Sequence, residues 1–324
     1  MADSSSERVA ERKRHSFFVN FFIRLLKEKP LGTFGLVITL LLLFTGIFAD
    51  FIAPYGVNEM YKEHLLEPPS AQFWLGTDNV GRDMLTRVIY GARVSVIVGL
   101  AASLFATIGS TIIGILCGYI GGKFDLIVQR AVDAWMCLPG LVVMIIIISG
   151  IGAGILPVIV VLGLSWSLIG SRIVRSAVFG IKENVYMAAA EAIGCSRTRI
   201  ITRHILPNIM APTIILFTTR VPAAIMTEAS LSFLGFGIPA PLPSWGGMLS
   251  GSGRSYMYLA PWIAIWSGLA LAITVYGINM FGDAMRDLLD PRLRGGAGRY
   301  GVRRLKKEAK EESESSVPEG STKQ

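Results

Sequence analysis

Charge is scarce in this sequence. Only 17% of its 324 residues are Asp, Glu, Lys or Arg, whereas a soluble domain carries about a quarter. The deficit argues against a water-solvated globule and points to lipid as the main solvent. Cysteine is also rare: Cys117, Cys137 and Cys195 are odd in number and lack metal-ligand spacing, so no disulfide framework is implied. The first two lie in apolar tracts, where a cysteine acts as a small hydrophobe. The three histidines, His15, His64 and His204, are far apart and suggest neither a metal nor a nucleophilic site. No phosphate loop of the GxxxxGK[ST] type occurs; Gly121-Gly-Lys-Phe124 has neither the glycine spacing nor the hydroxyl. The expectation is a chain with no ATP site, cofactor or enzymatic activity of its own.

Apolar sequence is abundant instead, at 52% of residues with a mean hydropathy of +0.54. A membrane helix needs about 20 apolar residues to cross about 30 Å of hydrocarbon. Residues 31–53 supply one such run, too long for the apolar core of a secretory signal. Residues 94–120 supply a second, rich in Gly, Ala and Ser, the residues that let helices pack closely in lipid. Residues 134–171 carry no charge at all. As one helix they would span about 57 Å, so a break is expected at Gly150-Ile-Gly-Ala-Gly-Ile-Leu-Pro157, with spans over 126–149 and 155–175. Residues 212–236 and 261–281 complete an all-α membrane protein, a six-helix transmembrane bundle.

The basic residues set its expected orientation. Arg172, Arg175, Lys182, Arg197, Arg199 and Arg203 lie between spans four and five, and Arg12, Lys13, Arg14, Arg24, Lys27 and Lys29 lie in the N-terminal arm. The tail is basic from Arg286 to Lys307. An even number of spans puts all three on one face, which the positive-inside rule makes cytoplasmic. Residues 1–30 then form a cytoplasmic arm, 54–90 an extracytoplasmic segment, and 287–324 a cytoplasmic tail. Residues 1–11 and 306–324 have the composition of disordered segments. The net charge of +8 is explained by this cytoplasmic bias rather than by nucleic-acid binding.

Asp133, Arg220 and Glu228 fall in or near predicted spans, where charge is costly and hence suggests function. Asp133 stands three residues after Arg130, a helix-face neighbour, which favours a structural pairing. For Arg220 a pore-lining or inter-subunit role stands level with a buried ion pair. Glu228 reads as a residue positioning span five. In the segment 76–93 an interfacial helix lying on the membrane is slightly preferred to a gate or docking surface.

The most informative stretch is the loop 176–208, ending ENVYMAAAEAIGCSRTRIITRHILPN. Tyr186 to Ile193 is an Ala-rich run of high helix propensity. Gly194 can end one helix and turn. A second helical pattern follows, with Ile200, Ile201 and Ile205 on one side, and Pro207 is expected to close it. Two short helices with a glycine elbow make a compact knob suited to a groove in another protein.

This pattern resembles the Glu-Ala-Ala, three residues, Gly, nine residues, Ile-x-Leu-Pro signature of permease subunits of binding-protein-dependent ABC importers. Here Ala188-Ala189-Ala190 occupies the triplet, Gly194 the glycine and His204-Ile205-Leu206-Pro207 the end. Ala188 stands where the pattern has Glu and His204 where it has Ile; Glu191 is the nearest following acid. Further stretches look like the second-permease type of the dipeptide, oligopeptide and nickel branch, with its type 1 transmembrane domain over 91–286. They are Phe73-Trp-Leu-Gly-Thr-Asp-Asn-Val-Gly-Arg-Asp-Met84, Tyr90-Gly-Ala-Arg-Val-Ser95, Glu228-Ala-Ser-Leu-Ser-Phe-Leu-Gly-Phe-Gly237, Pro243-Ser-Trp-Gly246 and Gly282-Asp-Ala-Met-Arg-Asp-Leu-Leu-Asp-Pro-Arg292.

The resemblance implies a second homologous permease, two cytoplasmic ATPase subunits that bind ATP and Mg, and an extracytoplasmic substrate-binding protein. The coupling residues it implies are Ala188, Ala189, Ala190, Glu191, Gly194, Arg197, Leu206 and Pro207. Peptides are the expected cargo, with nickel chelates or oligosaccharides as alternatives within the branch. An ion-coupled secondary transporter is the competing class; it often shows inverted repeats, and no repeat is evident here.

Overall fold

The computed structural model describes residues 17–289. The tail compositions read at 1–11 and 306–324 lie outside the described residues. Thirteen α-helices occur in the described part, and the only β pairing there is an isolated bridge between Thr77 and Asp83. The bundle has two ends, named here for Gly194 and for Trp245.

Helix α1 (Phe17–Glu28) precedes α2 (Pro30–Ile47) and the short α3 (Ala49–Ile52). The described residues 17–28 of the arm are thus helical. Leu25, fully buried, packs with Ala284 and Leu288 of the last helix, and Lys29 pairs with Asp287 at 2.5 Å. Helix α4 (Met84–Ile120) is 37 residues long, about 55 Å at 1.5 Å per residue, so it overshoots a bilayer. Segment 76–93 is therefore no separate surface helix: a folded loop leads straight into α4, whose first turn is capped by Asp83 accepting from the Thr86 amide.

Helix α7 (Ile155–Lys182) lies along α4, and their seam is built from small residues. A Cβ on Gly114 would stand 2.5 Å from the Val174 Cβ and 2.8 Å from the Ser171 carbonyl oxygen, and one on Gly118 2.7 Å from the Val178 Cβ. With no hydrophobic effect to drive association in lipid, such close approach supplies the packing. The same device joins α2 to α13 (Pro261–Leu289), where Gly35 faces the backbone of Gly277.

The predicted third span differs from expectation. It is a bent pair, α5 (Gly122–Met136) and α6 (Gly140–Ile151), meeting at 92°. Helix α6 has 12 residues, about 18 Å, too short to cross alone. Pro139, which has no amide hydrogen to continue the ladder, sits at the bend as the residue before α6. Ion pairs hold α5 against α7: Asp125 with Arg175, and Asp133 with Arg172.

After α7 come α8 (Val185–Ala192), α9 (Arg197–Ile200), a π turn over Ile201–Ile205 and α10 (Leu206–Phe233). Helix α7 continues to Lys182 rather than ending near 175, because Val174 and Val178 remain buried against Ile115. Helix α13 likewise continues past 281, carrying Ala284 and Leu288 into the contact with Leu25. Five helices are long and apolar enough to cross a membrane, or six when the bent pair counts as one.

Between α10 and α13, the short helices α11 (Trp245–Ser250) and α12 (Ser252–Ser255) cover the Trp245 end. There Trp245 is buried and donates to the Val88 carbonyl at 3.1 Å, while Trp262 donates to the Thr77 carbonyl at 3.1 Å. Phe73, fully buried, is ringed by Tyr55, Tyr61 and His64.

Candidate functional site

The Gly194 end carries the predicted knob. Helix α8 ends in a Schellman turn: the Cys195 amide donates to the Ala190 carbonyl at 3.1 Å and the Gly194 amide to Glu191 at 3.0 Å. Gly194 supplies the positive φ, +78°, that this turn requires. A Cβ there would meet nothing within 4 Å. The glycine is needed for its backbone, not for space. Ser196 caps α9, accepting from the Arg199 amide.

The knob has two faces. Met187, Ile200, Ile205 and Ile209 are buried against Val174, Val178 and Ile115, and Ala190 is buried as well. Ala188, Ala189, Glu191, Ala192, Gly194, Arg197, Arg199 and Pro207 are exposed, and Leu206 is half-buried. Val185 and Ile193 are 87% and 79% exposed, large apolar side chains set among small ones. The predicted triplet is therefore divided: Ala190 anchors the knob while Ala188 and Ala189 face outward.

Pro207 does not close the helix, contrary to the sequence expectation. Its ring would strike the carbonyl four residues back in a regular α-helix. The chain widens just before it instead, with the Leu206 amide donating to the Ile201 carbonyl five residues back, a single π turn. The knob thus runs without a break into α10, and Arg197–Phe233 is one continuous helical rod.

The charged candidates are dispersed rather than convergent. Asp133 lies beside Arg172, with Arg130 3.6 Å away; the expected pairing with Arg130 is present, but the nearer partner is on α7. Arg220 forms no ion pair among the described residues, correcting the buried-pair expectation. Its Nη1 donates to the Ser110 hydroxyl at 3.0 Å and its Nη2 to the Trp166 carbonyl at 2.7 Å, so it ties α10 to α4 and α7. Glu228 is fully buried, and its Oε1 accepts from the Ser232 hydroxyl at 2.7 Å. That hydroxyl accepts from the Ile238 amide at 3.0 Å, fastening the loop after α10 to the helix below it.

Sequence reasoning missed Arg87. The residue is 6% exposed and its Nε stands 3.6 Å from Asp78. The signal available was its spacing of nine from Asp78, but a folded loop of that shape cannot be read from spacing.

Residues 110–295 match the model of the family described as "binding-protein-dependent transport system inner membrane component". Residues 16–69 match the "N-terminal TM domain of oligopeptide transport permease C". A dipeptide transport system permease protein of Alkalihalophilus pseudofirmus is 38% identical over 269 residues, covering 83% of this chain and 88% of the relative. An oligopeptide transport system permease protein of Bacillus subtilis is 34% identical over 293 residues, covering 90% and 95%. A glutathione transport system permease protein of Pectobacterium atrosepticum is 35% identical over 275 residues, covering 85% and 91%. With its apolar helices of spanning length and a family match over more than half its residues, the chain is a multi-pass membrane protein belonging to the family of binding-protein-dependent transport system inner membrane components.

Proposed function

We propose that this chain is one permease half of a peptide importer driven by ATP hydrolysis in partner subunits. It pairs with a second homologous permease, receives cargo from an extracytoplasmic binding protein, and rests on two cytoplasmic ATPases that hold ATP and Mg. The bent pair α5–α6 counts as one broken crossing, giving six, with the Gly194 end and both termini cytoplasmic. The names of the relatives, for dipeptide, oligopeptide and glutathione transport, support the peptide cargo.

The observation that carries the reading is the knob's construction. Its outward face, with Val185 and Ile193 uncovered, fits a groove on another protein, and its inner face is packed onto the bundle. Because the π turn joins it to α10 without a hinge, a push on the knob moves α10 as a body. Rigid-body displacement of this kind transmits a nucleotide-driven change to a pore.

The test is affinity purification from the native membrane, followed by ATP hydrolysis and uptake of a labelled dipeptide. Recovery of a second permease, two P-loop ATPases and a binding protein, with ATP-dependent uptake, is expected. Uptake that collapses with an ionophore but survives ATP depletion would support secondary transport instead. Uptake of nickel chelates or oligosaccharides but not peptides would reassign the cargo.

A further inference from the structure

A polar cavity of about 370 Å³ opens at the Trp245 end, between the loop before α4 and the loop after α10. Arg82 and Arg87 line it from one side, and Ser232, Ser244 and Ser252 from the other. The two arginines share one acid, Asp78, which is itself 1% exposed. Asp78 is already committed: its Oδ2 accepts from Arg82 Nε at 2.7 Å, and its Oδ1 from the Val80 and Arg82 amides at 2.9 Å. Arg87 stands farther off, at 3.6 Å. Its guanidinium makes no hydrogen bond to a described residue, and its Nη1 is buried without a partner.

A buried donor left unsatisfied is costly, more so when charged. The cavity wall thus presents one guanidinium whose hydrogen-bonding capacity is unused. Its side chain is 7% exposed, so an acceptor has to enter the cavity to reach it. Glu228 does not line this wall; it is fully buried behind Ser232. Ser252, half-buried, stands on the same wall. The rest of the wall includes Ile238 and Leu242.

We propose that this cavity binds a carboxylate, the C-terminal end of a short peptide, with Arg87 as its principal donor. A carboxylate matches the planar fork of a guanidinium, and Arg87, 3.6 Å from an acid whose hydrogen bonds go to Arg82 and two backbone amides, keeps donors for it. A phosphate would bring more charge than this wall answers. The apolar residues give the peptide's last side chain a surface to rest on. The assignment rests on the peptide-importer reading and places a cargo contact on the extracytoplasmic side of the subunit.

The assembled transporter without its binding protein, in nanodiscs, is titrated with N-acetyl-Ala-Ala and with the C-terminal amide of the same peptide, and binding is read by saturation-transfer NMR. The free acid is expected to bind at least about tenfold more tightly than the amide. Arg87→Gln should erase this preference. Ser252→Glu, which puts a fixed carboxylate at the wall of an otherwise unchanged loop, should erase it too and serves if the first variant fails to fold. Equal binding of acid and amide by the wild type, or a preference surviving in either folded variant, overturns the proposal. Uptake of labelled Ala-Ala by the complete wild-type transporter is measured alongside. Its absence would count against the peptide reading itself, whereas uptake without Arg87-dependent binding would sink only the carboxylate site.

Discussion

The guanidinium of Arg220 passes over the bare face of Gly170 to reach the Trp166 carbonyl, with Nη2 and the oxygen 2.7 Å apart. Three helices meet at this point, and the glycine exists to let the arginine through. A Cβ at 170 would strike Nη2 and lie 2.5 Å from the Ser110 hydroxyl. Gly170→Ala should therefore destabilise the subunit by about 1–3 kcal/mol, the usual cost of overpacking. Thermal melting of the purified chain measures it.

Arg220→Met provides the companion test. It removes the charge and keeps much of the volume, and buried charges replaced by apolar groups of similar size often cost little. Combined with Gly170→Ala, it should recover a large part of the alanine's cost, giving a coupling energy of about 0.5–3 kcal/mol. Strict additivity of the two would show that the glycine does not serve the arginine.

Along the α4–α7 seam, Gly114→Leu should be worse than the same change at Gly180. At 114 the new side chain meets Val174 and the Ser171 backbone, whereas at 180 nothing lies within 4 Å. Yield of folded protein in detergent should fall sharply for the first and change little for the second.

Asp50 ties the short helix α3 to α4. Its carboxylate accepts from Arg93 Nη2 at 2.8 Å and from the Tyr90 hydroxyl at 2.7 Å, and these bonds, Arg93 first, hold its pKa below the usual aspartate value. A depressed pKa means the contribution is present at neutral pH and is lost as pH falls through the folded-state value. Amide exchange over residues 49–53 should accelerate at acid pH in the wild type. In Asp50→Asn it should already be faster at pH 7 and lack that acid step.

Much of the bundle was legible because the apolar runs are long and the breaks in charge are clean. The bend at Pro139 was not, since 134–171 is uncharged on both sides of it and hydropathy carries no angle. Pro207 misled for a related reason: a proline reads as a stop, and only the observed π turn shows the helix stepping around it. The partners of Arg220 escaped because one is a backbone carbonyl, which every residue has, and the other a serine hydroxyl, which carries no charge to match. The knob was legible in outline from the Ala-rich run and Gly194, whereas the inward turn of Met187 depends on how α8 rolls against Val174 and Val178. Arg87 illustrates the remaining gap, a loop residue whose burial follows from the fold of the segment before it.

The coupling role of the knob is tested most directly by ATP hydrolysis and peptide uptake measured together in the reconstituted complex carrying Gly194→Asn or Gly194→Val. Asparagine tolerates a left-handed backbone, whereas a β-branched residue there is strained, by about 1–2 kcal/mol or more; open space around position 194 excludes a simple clash. The account predicts near wild-type uptake per ATP for asparagine and a loss of at least about tenfold for valine, with the complex still assembled. Valine complexes that import peptide with wild-type yield per ATP would contradict it.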